Sequence, residues 1–153
     1  MLDPFVGTGT FPVRLLQSGL VSTDDARRKF LYELHANEIV LLAYYIAAIN
    51  IEEAFHGLLG GEYHTFPGIL LTDTFQLSES TTKQAEAFVE NSERVAKQMQ
   101  TPIRVIVGNP PYSARQASAN DANENLSYPV LDQSIRDTYA ANADASNISP
   151  LYD

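Results

Sequence analysis

The four residues Asn109-Pro110-Pro111-Tyr112 close an apolar run, Ile103 to Val107, and they bring together groups suited to one kind of chemistry. An amino group on an aromatic ring is a weak nucleophile, because its lone pair is delocalised into the ring. A side-chain amide oxygen and a backbone carbonyl, each accepting one of its hydrogens, return electron density to the nitrogen. Neither a metal nor a covalent intermediate is required. Asn109 supplies the first acceptor and the Pro110 carbonyl the second, while Pro110 and Pro111 stiffen the backbone that carries that carbonyl. Tyr112 offers a flat face against which a ring, such as a base rotated out of a duplex, can stack. The plainer alternative is a strand ended by prolines and followed by an exposed tyrosine.

A second constellation lies at the start of the chain, in Asp3-Pro4-Phe5-Val6-Gly7-Thr8-Gly9-Thr10. Gly7-Thr8-Gly9 permits a tight turn and close backbone approach to a ligand, and the helix that follows presents free N–H groups to electronegative atoms. No Gly-Lys-Ser/Thr follows, so this is not a phosphate-cradling P-loop. Asp3 could hold the ammonium end of a methionine-like ligand, or simply cap the turn. Glu38, after a short second strand, sits where nucleoside-binding α/β folds keep an acid for the two ribose hydroxyls. It could equally be a surface glutamate favoured by a helix dipole. Asp73 could accept from an adenine amine with Phe75 against a ring face, or serve as a turn aspartate.

Positioning these residues requires strands that all end on one side. Met1 to Pro4 reads as the last residues of a strand. Thr10 is expected to cap the next helix, which tolerates Pro12 in its first turn and stops near Gly19. A short helix from Ser22 to about Tyr32 precedes a strand over Leu34 to Asn37 that ends at Glu38. Ile39 to about Leu59 is apolar on nearly every side and predicts a helix packed deeply on a sheet, broken by Gly60-Gly61. Ile69-Leu70-Leu71 and Ile103 to Val107 predict buried parallel strands. Between them, Ser80 to Gln100 predicts an amphipathic helix with Ala85, Phe88, Val89, Val95, Ala96 and Met99 on its apolar side. Ser113 to Ser127 reads as a loop and Pro129 to Ala141 as a helix. Alternating strands and helices of these lengths predict an open, mostly parallel α/β sheet whose ligands bind beyond the strands' carboxyl ends.

Composition narrows the classes further. The 153 residues contain no cysteine, which removes disulfides and thiolate metal sites, and His35, His56 and His64 lack zinc-ligand spacing, so no metal site is expected. The longest apolar run, Ile39 to Ile49, is too short to cross a bilayer, which favours a cytoplasmic protein without membrane contact. A net charge of −9 is unfavourable for gripping a polyanion. Any main nucleic-acid surface is expected to lie elsewhere.

The order of these segments resembles the amino-methyltransferase motifs of the gamma class. More closely, Leu34-His35-Ala36-Asn37-Glu38-Ile39, Ala43 to Glu52, Asn125-Leu126-Ser127-Tyr128-Pro129 and Leu131-Asp132 resemble the methyltransferase region of Type ISP restriction-modification enzymes. The resemblance implies a Rossmann-like S-adenosylmethionine-dependent fold, with cofactor binding by Asp3, Gly7, Gly9, Glu38 and Asp73 and target-amine handling by Asn109, Pro110 and Tyr112. Pro4, Thr8 and Phe75 join the cofactor set, and Pro111 joins the catalytic one. The implied partners are DNA, through a flipped adenine, and helicase-like and nuclease domains of the same polypeptide. Residues 1–153 would form a partial catalytic domain, with the first strand nearly absent and later strands and the target-recognition domain missing. Such a fragment is expected to be inactive alone and to self-associate through open strand edges. Methylation of a protein glutamine or an RNA base, and a non-catalytic cofactor-binding remnant, remain the alternatives.

Overall fold

The structure is a computed structural model, and it describes residues 1–79, 89–111 and 128–142. The chain divides into two compact units, one of Met1–Thr74 with Thr82–Pro110 and the other of Phe75–Thr81 with Pro111–Asp153. The first unit holds a parallel sheet of β1 (Leu2–Asp3), β2 (His35–Glu38) and β3 (Ile69–Leu71), with β2 in the middle. Leu2 aligns with His35 and Ala36 with Ile69, so the three carboxyl ends share one edge. On the far side of β1, the Leu2 N–H donates to the Val105 carbonyl (2.8 Å) and the Leu2 carbonyl accepts from the Val107 N–H (3.0 Å). That parallel bridge, at Ile106, sends Gly108 and Asn109 toward the same edge.

Helix α1 (Thr10–Gln17) starts at Gly9 rather than being capped by Thr10, which is already its first residue. Gly9 has φ 94°, a left-handed turn that glycine adopts without strain, and an added Cβ would lie 3.3 Å from the Ala47 carbonyl oxygen. The turn therefore presses against α3 (Leu41–Leu59). Ser22 caps α2 (Thr23–Arg28) by accepting from the Asp25 N–H, and a π-helical turn over Lys29–Glu33 leads into β2. Phe30 and Phe55 stack with centroids 3.8 Å apart, Phe66 lies 5.2 Å from Phe30, and all three are buried. Truncating any of them to alanine would cost about 3–5 kcal/mol. Glu52, nearly buried in α3, accepts from the Phe66 N–H (2.7 Å) and from the Tyr63 hydroxyl, which ties the Gly60–Phe66 loop back onto its helix.

Three expectations about packing are corrected. Helix α3 buries one face, through Ala47, Ile51, Ala54 and Phe55, but leaves Leu42, Tyr45 and Ile49 exposed at 70%, 55% and 63%. The all-round apolar sequence thus marks a helix with a bare apolar side among the described residues. Val105, Ile106 and Val107 are likewise exposed rather than a buried strand, since only the β1 side of this segment is paired among the described residues. Helix α4 (Val89–Gln100) turns Gln98 inward and leaves Ala96 and Met99 exposed. The reason is hydrogen bonding. The Asn91 amide accepts from the Leu71 N–H (3.0 Å) and donates to the Leu71 carbonyl (2.9 Å), satisfying the outer edge of β3, which an apolar side chain could not do. Ala85 and Phe88, and the whole loop over residues 113–127, lie outside the described residues.

In the second unit, α5 (Pro129–Thr138) begins with proline, and Glu79 accepts from the N–H groups of Val130 (3.0 Å) and Leu131 (2.8 Å). A carboxylate at that position satisfies two otherwise unpaired donors and complements the helix dipole. No helix among the described residues is long and apolar enough to cross a membrane.

Candidate functional site

Parallel strands deliver Asp3, Glu38, Asp73 and Asn109 to a single sheet edge in the first unit. Asp3 is fully covered. Its Oδ1 accepts from the Phe5 N–H (3.1 Å), but its Oδ2 is buried with no hydrogen-bond partner among the described residues. Burial raises the Asp3 pKa above the ordinary carboxylate range, against the opposing pull of the Phe5 N–H, and the Glu38 charge adds to the rise. An unpaired buried carboxylate oxygen is rare enough to need a reason. A cationic group placed against it would supply one.

Glu38 is buried and held by three backbone donors. Its Oε1 accepts from Ile39 (3.0 Å) and Val40 (2.8 Å), and its Oε2 accepts from Gly7 (2.9 Å). One carboxylate therefore locks the entry to α3 and the glycine turn together. A carboxylate oxygen can accept more than one hydrogen bond, so Oε2 can take a ligand hydroxyl as well as Gly7. Beside it Ile39 and Val40 are 58% and 55% exposed, an apolar surface next to an acceptor, which suits a flat nucleoside. Thr8 is exposed and its carbonyl accepts from Asn50 Nδ2 (2.8 Å).

The first turn is held by residues that sequence reasoning did not single out. The Val6 N–H donates to the Asn37 carbonyl (3.0 Å), and Thr74 Oγ1 donates to the Pro4 carbonyl (2.7 Å) while accepting from Asn37 Nδ2 (3.1 Å). Gln98 Nε2 donates to Asn37 Oδ1 (2.9 Å), completing a buried polar chain from α4 through β2 to the turn after β1. Gly108 packs so closely that a Cβ there would lie 3.0 Å from Pro4 Cδ and 3.1 Å from Asp3 Oδ1. Thr74 adjoins Asp73 and Gly108 adjoins Asn109, a proximity that could have drawn attention to both positions in the sequence; Gln98 had no such signal.

The expected site residues differ in burial, and not all of them lie in the first unit. Asp73 is half-buried after β3, and Asn109 and Pro110 are exposed. Phe75 and Pro111 fall in the second unit, where the Phe75 ring lies 5.4 Å from Tyr128. Tyr112 lies outside the described residues. Among the described residues no group of histidine, cysteine and carboxylate side chains is arranged to hold a metal ion.

No family model matches the chain, and no curated protein does. Solved structures do. The chain is 49% identical, with a TM-score of 0.83, to part of a nuclease-deletion mutant of the Type ISP restriction-modification enzyme LlaGI in complex with a DNA substrate mimic. It is 44% identical, with a TM-score of 0.79, to part of LlaBIII, an ATP-dependent Type ISP restriction-modification enzyme bound to DNA. It is 40% identical, with a TM-score of 0.79, to part of DrdV in a DNA complex. These alignments cover 98%, 99% and 95% of this chain but only 13%, 11% and 14% of the larger ones. The α/β unit with its small parallel sheet is thus similar to one region of Type ISP restriction-modification enzymes, and the chain spans only a small part of their length.

Proposed function

We propose that the carboxyl edge of this sheet is the S-adenosylmethionine site of a Rossmann-like methyltransferase region, acting on the exocyclic amine of adenine in DNA within a restriction-modification enzyme. The observation that carries the reading is the gathering of Asp3, Glu38, Asp73 and Asn109 at that edge, with one Asp3 oxygen unpartnered among the described residues. S-adenosylmethionine, when bound, supplies a methyl group activated by a sulfonium centre. Asp3 Oδ2 takes the ammonium group of its methionine end. Glu38 Oε2 accepts from the ribose hydroxyls, Ile39 and Val40 cover a face of the adenine, and Asp73 accepts from the adenine amine. On the substrate side, Asn109 and the Pro110 carbonyl draw the hydrogens of the target amine and hold its nitrogen in line for attack. Pro111, next in the chain, restrains that carbonyl.

The DNA complexes of LlaGI, LlaBIII and DrdV favour DNA over a protein glutamine or an RNA base as the substrate. A chain of net charge −9 does not itself attract DNA, so the grip belongs to other parts of a longer polypeptide, which also carry helicase-like and nuclease domains. The 153-residue chain then binds cofactor without methylating DNA.

Equilibrium dialysis of this chain against S-adenosylmethionine, its demethylated product, ATP and NAD tests the assignment. The first two bind, and the phosphate-bearing ligands bind at least about tenfold more weakly, because the turn is not a P-loop and has Pro12 where the dinucleotide-binding G-x-G-x-x-G turn has its third glycine. Preferential binding of ATP or NAD would overturn it.

A further inference from the structure

We propose that Thr74 is a positioning residue that fixes the spacing between the two ends of the cofactor site; the inference rests on the S-adenosylmethionine reading above. The direction of its hydrogen bonds is forced. The Pro4 carbonyl can only accept, so the Thr74 hydroxyl must donate to it (2.7 Å). The same oxygen must then accept from Asn37, which presents Nδ2 (3.1 Å) and leaves Oδ1 for the Gln98 amide (2.9 Å). Asn37 and Gln98 are buried, at 1% and 7% exposure, so water does not readily replace the bond between them, while Thr74 and Pro4 are part-buried.

The consequence is a strap across the edge. Thr74 follows Asp73, which serves the adenine end, and grips Pro4, which follows Asp3 at the ammonium end. The Asn37 carbonyl holds Val6 (3.0 Å) and Glu38 Oε2 holds Gly7 (2.9 Å), so the turn is tethered at Pro4, Val6 and Gly7. The Val6 and Gly7 tethers run to β2, whereas the Thr74 tether joins the turn to the loop bearing Asp73. A ligand that touches both ends depends on this spacing, whereas one that touches only the adenine and ribose end does not.

A hydroxyl can accept and donate at one atom, which is what this position uses. Thr74→Ser keeps both bonds, and Thr74→Val keeps the shape but strands the Asn37 amide and the Pro4 carbonyl. Calorimetric titration of the 153-residue chain with S-adenosylmethionine and, separately, adenosine reads the difference. Thr74→Val should weaken S-adenosylmethionine about tenfold or more while changing adenosine by less than about twofold, and Thr74→Ser should stay within about threefold of wild type for both. Gln98→Leu, which removes the far end of the chain, should show the same pattern at about threefold and carries the test if Thr74→Val does not fold. Equal losses for both ligands, or none for S-adenosylmethionine, would overturn the strap. Absence of S-adenosylmethionine binding by wild type would instead overturn the cofactor reading beneath it.

Discussion

Replacing Asp3 with asparagine separates what the fold gains from what the site needs. In the wild-type chain Oδ1 has one backbone donor and Oδ2 has none among the described residues, in a side chain with no exposure. A buried carboxylate with no countercharge and one oxygen unpaired costs up to several kcal/mol before any ligand arrives. An asparagine in its place would retain the Oδ1 acceptor and bury an unpaired NH2 group at about 1–3 kcal/mol. Asp3→Asn is therefore expected to leave stability at pH 7 unchanged or to raise it by on the order of 1 kcal/mol, about 2–4 °C in Tm for a chain of this size. The pH dependence follows from the raised pKa. The folded chain holds a proton that the unfolded chain releases, so wild-type stability falls as pH rises from about 4 through the folded value. Asparagine has no such proton, so the difference between the two melting curves should open with rising pH and close on acidification. Binding should move the other way: losing an ionic hydrogen bond of about 1.5–3 kcal/mol weakens S-adenosylmethionine roughly 10- to 150-fold. Melting by circular dichroism between about pH 4 and 8, with calorimetric titration at pH 7, measures both. An asparagine variant that melts several degrees below wild type at pH 7 and binds the cofactor equally well would refute the reasoning.

Gly108→Ala places a methyl group 3.0 Å from Pro4 Cδ and 3.1 Å from Asp3 Oδ1, and overpacking of this kind costs about 1–3 kcal/mol. A Tm unchanged from wild type would show that the turn gives way freely. Burial also depresses the pKa of His35, whose Nε2 is buried and unpartnered among the described residues, with the chain's amino terminus and Lys97 adding to the shift. The folded state then holds a neutral imidazole while the unfolded state charges below about pH 6.5, so stability is lost on acidification through that range. His35→Leu should flatten that slope in denaturant midpoints measured from about pH 7.5 to 5.5, and an unaltered slope would exclude His35 as its source. The exposed Leu42, Tyr45 and Ile49 of α3, with the Val105–Val107 segment, should drive self-association, so a constant monomer mass in light scattering across a dilution series would contradict it.

The edge that carries the candidate site was partly legible because some strand ends are written in short apolar runs. Ile69-Leu70-Leu71 announced its carboxyl end in this way, whereas Leu34-His35-Ala36-Asn37 before Glu38 is a mixed segment read as a short strand, and those ends define the edge that gathers Asp3, Glu38 and Asp73. Side-chain burial was harder to read. The apolar pattern of α3 says that it can be buried, not on how many sides, and its bare face records the part of that question which sequence leaves open. The docking of α4 was misread because periodicity counts apolar residues, whereas Asn91 and Gln98 attach it by amide hydrogen bonds. Such partners are chosen by geometry across many residues of sequence. The same holds for Thr74, whose bond to Pro4 joins positions 70 residues apart.

The most direct test of the central claim is an amide NMR titration of the 153-residue chain with S-adenosylmethionine. Saturable shifts are expected at Asp3, Phe5 to Gly9, Glu38 to Val40, Thr72 to Thr74 and Gly108 to Asn109, all at the strands' carboxyl edge. Leu34, His35 and Gly68, at the opposite edge, should stay unmoved. An unperturbed spectrum, or shifts confined to that opposite edge, would contradict the assignment of this surface as the cofactor site.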